Sequence, residues 1–144
     1  MGRILGIDYG TKRIGLAITD PLQMFASPLD TVSQSEFDSY ITEYMKSEII
    51  DEFVIGYPAR MNNKPSEVVK HIDPFIRKLK KQYPGKQIHQ VDERFTSQMA
   101  FQTMIDGGVK KKDRMDKKMV DRISASIILQ SFLDRRTNKN VTKK

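Results

Sequence analysis

The chain has 144 residues, 38% apolar and 30% charged, a balance that suits one globular domain with a real core. No run approaches the roughly 20 apolar residues of a bilayer span, and the first residues read as a strand rather than a targeting segment. The absence of cysteine excludes disulfides, thiolate catalysis and cysteine–zinc sites, and makes a cytoplasmic location the default expectation. A formal charge of +7 favours a polyanionic partner, of which nucleic acid is the commonest.

Arg3 to Asp8 is an apolar run ending in an acid and predicts a buried strand. Tyr9-Gly10-Thr11-Lys12 is a turn and Arg13 to Thr19 a second strand; so short a connection implies an antiparallel hairpin. Asp20-Pro21 ends it, and Ala26 to Val32 predicts a third strand that Pro28 assigns to a sheet edge. Ser33 to Glu36 reads as a helix start, with Phe37, Ile41, Tyr44, Met45 and Ile49 at helical spacing behind it. Phe53 to Tyr57, closed by Pro58, predicts a buried strand. Pro65 and Ser66 open a second helix with an apolar face of Val68, Val69, Ile72, Phe75, Ile76 and Leu79, ended by Pro84-Gly85. Gln87 to Val91 predicts the last strand. A third helix starts near Thr96 or Ser97 and stops at Gly107-Gly108. Lys110 to Lys118 is strongly basic and reads as a mobile loop, before a final helix carrying Met119, Ile123, Ile127, Leu129 and Leu133. The order β-β-β-α-β-α-β-α-α predicts an α/β domain over 1–134, a mixed sheet with helices on its faces, and a basic, disordered tail over 135–144.

Three places put carboxylates where they can meet in one cleft. Asp8 ends the first strand, Asp92 and Glu93 end the last, and Asp121 opens the final helix. If the first and fourth strands are parallel neighbours, their carboxyl ends lie side by side, where open α/β sheets place their sites. Hard cations such as Mg²⁺ or Mn²⁺ take oxygen ligands, and two of them about 4 Å apart serve phosphodiester hydrolysis. Each acid also has a plainer role: Asp8 as a turn residue or cap, Asp121 as a partner of Lys117, Lys118 or Arg122, Glu93 as a helix N-terminal charge. Periodicity alone does not choose between these. His71 and His89 sit outside any such cluster and read as structural.

The residues around these acids carry a family resemblance. Gly6-Ile7-Asp8-Tyr9-Gly10-Thr11-Lys12-Arg13-Ile14-Gly15-Leu16-Ala17 closely resembles the opening of the YqgF/RuvX family. Val54-Ile55-Gly56-Tyr57-Pro58 resembles its second block, with Tyr57 where Leu is usual, and Asp92-Glu93-Arg94 its third. Asp121 with Ser124-Ala125-Ser126-Ile127-Ile128-Leu129-Gln130 resembles its last, with Ser124 where Ala is usual. The blocks occur in order over nearly the whole chain. The resemblance implies an RNase H-like fold: a mixed five-stranded sheet, three strands in an antiparallel meander and two parallel, flanked by helices. It further implies a metal-dependent nuclease that trims the 5′ end of precursor 16S rRNA, with Asp8, Glu93 and Asp121 as catalytic metal ligands. Asp92 is the reserve, since adjacent strand residues face opposite ways.

Thr11, Lys12 and Arg13, in the turn Gly10-Thr11-Lys12-x-x-Gly15, are candidate phosphate contacts; a solvated hairpin tip is the alternative. Arg94 either pairs with a carboxylate or clamps phosphate. Lys110, Lys111, Lys112 and Arg114 concentrate charge just before Asp121, and Arg60 follows a strand's carboxyl end, so these too are candidate nucleic-acid contacts. Precursor rRNA is the favoured partner, branched DNA the competing one, with a monomer or a homodimer compatible with either. A non-catalytic ribosome-assembly module is a further alternative.

Overall fold

A computed structural model describes residues 2–58, 69–93, 102–108 and 116–142, with only the main chain at 58, 93 and 138–142. Strands β1 (Arg3–Tyr9) and β2 (Arg13–Thr19) form the expected hairpin, and β3 (Ala26–Ser33) adds to β2 antiparallel. The β2–β3 register slips between Leu16 and Ala17, which pair with Asp30 and Pro28. A proline has no amide hydrogen for the ladder, and β3 is an edge strand. Strands β4 (Ile50–Pro58) and β5 (Gln87–Glu93) complete the order β3-β2-β1-β4-β5, with β4 parallel to both β1 and β5.

Helix α1 (Gln34–Tyr44) starts at a full capping box, in which the Ser33 side chain accepts from the Glu36 amide and the Glu36 carboxylate from the Ser33 amide. It stops with Met45 as its C-cap. Ile49, expected on its apolar face, lies beyond it and is 66% exposed, because the turn at residues 45–48 breaks the helical period. Helix α2 (Val69–Gln82) buries Val69, Ile72, Ile76 and Leu79 as expected. Its predicted start at Pro65 and Ser66 falls outside the described residues, as does that of the third helix. Of that helix, 102–106 is described and labelled α3; it buries Met104 and ends at Gly107-Gly108, where Gly108 adopts φ +76°.

The last helix, α4 (Lys117–Thr142), is longer than expected. Residues 135–142, read from sequence as a disordered basic tail, continue it as helix, and Arg136 supplies a reason. Its guanidinium donates to Glu52 Oε1 at 2.8 Å and lies 4.6 Å above the Phe132 ring, so its charge is spent on the fold.

The sheet has two covered faces. On one, Leu5, Ile7, Ile14, Leu16, Phe53 and Ile55 pack with α1 and α2. On the other, Ile4, Ala17, Val54 and Val91 pack with Ala125, Ile128, Leu129 and Leu133 of α4. Gly6 belongs to this second face: a Cβ there would stand 2.8 Å from Leu129 Cβ. Ser124 is buried on this face with its hydroxyl unpartnered among the described residues.

Helix α4 runs from the carboxyl end of β1 toward the start of β4. Near its beginning Thr31 Oγ1 donates to the Lys118 carbonyl. Near its end His89 and Arg136 meet on Glu52, both at 2.8 Å, and the His89 and Phe132 rings stack 4.6 Å apart. Burial pushes the Glu52 carboxyl up, but the hydrogen bonds from Arg136 and His89 prevail and hold it below the ordinary 4.5. An acid depressed in the folded state stabilises the fold above its unfolded value and loses that contribution as pH falls through the folded one. Thermal melts are therefore expected to show the midpoint dropping from about pH 4.5 downward, and Glu52→Gln to make that drop shallower.

Candidate metal and nucleic-acid site

Strand alternation sets which acids can meet. Ile4 and Gly6 of β1 face α4, and Asp8 is next in that series, at the carboxyl end of the strand and only part-exposed. Its register partner on β2 is Gly15. A Cβ at Gly15 would overlap the carbonyl of Asp121, so the main chain of α4 rests on this strand directly across from Asp8. Asp8 and Asp121 thus flank one rung of the sheet. The sequence placed Gly15 in a phosphate-binding turn; it is instead a buried seat for the helix, and only a residue without a side chain admits α4 there.

On β5, Val91 packs on the α4 side, while Tyr57 packs on the α1–α2 side and is the register partner of Asp92. Asp92 is exposed and belongs with Tyr57, away from α4. The main chain of Glu93 pairs with Pro58; the Glu93 side chain lies outside the described residues. Among the described residues no three acidic or histidine side chains converge as a metal cluster. Asp8 and the start of α4 at Asp121 nonetheless lie on either side of Gly15, and carboxylate oxygens are a donor chemistry that suits Mg²⁺ or Mn²⁺.

Sequence reasoning gave Asp121 to Lys117, Lys118 or Arg122 as alternative partners. None of these holds it. Arg13, expected at a basic hairpin tip, donates from Nε to Asp121 Oδ2 at 2.7 Å, and Arg122 turns to Thr31. The pairing joins residues 108 positions apart and has no local signal. A weaker signal was available in the small residues Gly6, Gly15 and Ala17, which alternate along one face of adjacent strands and mark where a helix can sit close.

Thr11 and Lys12 are exposed at the hairpin tip, beside the Gly10 carbonyl that accepts from Gln34 Nε2. Gln34 also donates to the Tyr9 hydroxyl at 2.7 Å, tying the tip to α1. Arg60, Arg94, Lys110, Lys111, Lys112 and Arg114 fall outside the described residues. His89 has the structural role expected of it. Among the described residues, no helix is long and apolar enough to cross a membrane.

The fold is that of known resolvases. The RuvC protein of T. thermophilus, solved with a Holliday junction, superposes with a TM-score of 0.56 at 14% identity, covering 95% of this chain and 96% of that one. The fowlpox virus resolvase, solved with junction DNA, gives 0.57 at 10% identity over 92% and 97%. At such identities the likeness is one of fold. The sequence relatives are much nearer. A protein of Bacteroides fragilis with the provisional name of a pre-16S rRNA nuclease is 51% identical over 134 residues, 93% of this chain and 97% of its own. One of Christiangramia forsetii with the same name is 50% identical over 133 residues, 92% and 98% of the two chains. The family model described as RuvX, Holliday junction resolvase, matches residues 2–135. A match of that extent, on a chain whose Asp8 and Asp121 blocks meet across one rung of an RNase H-like sheet, makes this protein a member of the RuvX family.

Proposed function

We propose that this chain is a divalent-metal nuclease that hydrolyses phosphodiester bonds in RNA, with the 5′ end of precursor 16S rRNA as its substrate. The observation that carries the reading is that Gly15, the register partner of Asp8, seats the main chain of Asp121 on the α4 side of the sheet. Strand alternation from His89 and Val91 gives position 93 to that same side, which favours Glu93 over Asp92 as the third acid. Asp8, Glu93 and Asp121 would then hold Mg²⁺ or Mn²⁺, and a cation so held supplies a Lewis acid for the phosphoryl oxygen and an ionised water. The rest of the work falls to the chain's own charges. Thr11 and Lys12 stand at the tip beside Asp8, where they would bind and orient the phosphates flanking the cut. Arg60, Arg94, Lys110, Lys111, Lys112 and Arg114 extend the basic set by sequence, consistent with a net charge of +7.

The substrate follows the names of relatives about half identical to this chain. A second reading, cleavage of four-way DNA junctions, is favoured by the family description and by the resolvase folds. Symmetric cutting of a junction would require a homodimer, whereas one copy suffices to trim an RNA end. Cleavage of a precursor-rRNA fragment and of a synthetic junction, each with Mg²⁺, Mn²⁺ or EDTA, separates them. The RNA is expected to be cut in metal and spared in EDTA. Cutting of the junction alone would overturn the rRNA reading, and metal-independent cutting would overturn the mechanism.

A further inference from the structure

We propose that Arg13 is a positioning residue for Asp121, holding its carboxylate by one oxygen so that the other is offered to a divalent cation. The inference rests on the metal-nuclease reading above and deepens it. Among the described residues Arg13 Nε donates to Oδ2, at 2.7 Å, and Oδ1 has no partner, which leaves it for another ligand. Carboxylates that bind metal commonly have such a hydrogen-bonded partner behind them, and the partner sets their orientation.

An independent observation points the same way. The main chain of Asp121 rests on Gly15, two residues beyond Arg13 on the same face of β2. Side chain and main chain of Asp121 are therefore both seated on β2, at the rung opposite Asp8. The arrangement removes the rotamer freedom that a ligand would otherwise lose on binding. Arg13 also differs from its neighbours at the tip. Thr11 and Lys12 are exposed, as contacts waiting for phosphate would be, whereas the Arg13 side chain is 35% exposed and already engaged with one 22% exposed.

Arg13 acts on a bound cation in two opposed ways. Its bond orients the ligand, while its positive charge repels the ion. Arg13→Lys separates the two, because it keeps the charge and loses the planar Nε donor. The experiment uses the full chain and Mn²⁺ as the probe, titrated by calorimetry without nucleic acid, for wild type, Arg13→Lys and Asp121→Asn. A thermal melt of each confirms folding, and RNA affinity is measured separately in EDTA by fluorescence anisotropy. Arg13→Lys is expected to weaken Mn²⁺ binding about tenfold, with RNA affinity in EDTA held within about twofold, since the charge that a phosphate would see is retained. Mn²⁺ binding that is unchanged or tighter in Arg13→Lys overturns the proposal. A fall in RNA affinity with Mn²⁺ binding intact also overturns it and makes Arg13 a phosphate contact. If wild type binds no Mn²⁺, or Asp121→Asn binds it as well as wild type, the metal reading itself fails, an outcome distinct from failure of the Arg13 role alone.

Discussion

Asp8→Asn is expected to lower the cleavage rate about a thousandfold or more while leaving the fold intact. Asparagine has the size of aspartate but lacks its charge, and a hard cation at this site would lose one of very few anionic ligands. Asp8 sits part-exposed at the end of β1, so the substitution opens no cavity in the core. Nucleic-acid binding in EDTA is expected to hold or to tighten, because one negative charge facing phosphate has gone. The measurement is single-turnover cleavage in Mn²⁺ beside an anisotropy titration in EDTA. Hydrolysis within about tenfold of wild type would remove Asp8 from the machinery.

The second large effect belongs to Gly15→Ala. The added Cβ would overlap the carbonyl oxygen and carbon of Asp121, and main-chain atoms cannot turn aside as a flexible side chain can. Helix α4 must lift off the sheet, separating Ala125 and Leu129 from Ile4, Ala17 and Val54. The cost is expected at the upper end of the overpacking range, about 3 kcal/mol, which for a chain of this size is a melting drop of about 10 °C. Cleavage should fall with it, since Asp121 leaves the rung opposite Asp8. Gly85→Ala is the control: nothing lies within 4 Å of the added carbon, so the melt should be unchanged or rise slightly. A Gly15→Ala melt equal to that of Gly85→Ala would show that α4 does not depend on this seat.

These two positions mark how far the sequence could be read. The hairpin, the edge strand at Pro28, the Ser33–Glu36 cap and the five strands were all legible, because each is written in neighbouring residues. Asp8 and Asp121 were legible as candidates because they interrupt or abut apolar runs. What joins them was not. The Arg13–Asp121 bond and the Gly15 seat are contacts between β2 and a helix about a hundred residues later, and local periodicity carries no trace of either. The place of Arg136 was hidden for a related reason: Arg135 and Arg136 look like solvated charge until Glu52 and Phe132 are seen beneath Arg136. Ile49 failed the other way, since its spacing continued a helix that the chain had already left.

The position of α4 as the last described element has a consequence during synthesis. Residues 3–93 carry all five strands, but the described residues that cover Ile4, Ala17, Val54 and Val91 from outside the sheet belong to α4 and are made last. Asp8 is made more than a hundred residues before Asp121 arrives to stand across Gly15 from it. The docking step that hides the sticky surface is therefore also the step that first brings Asp121 to the strand pair carrying Asp8.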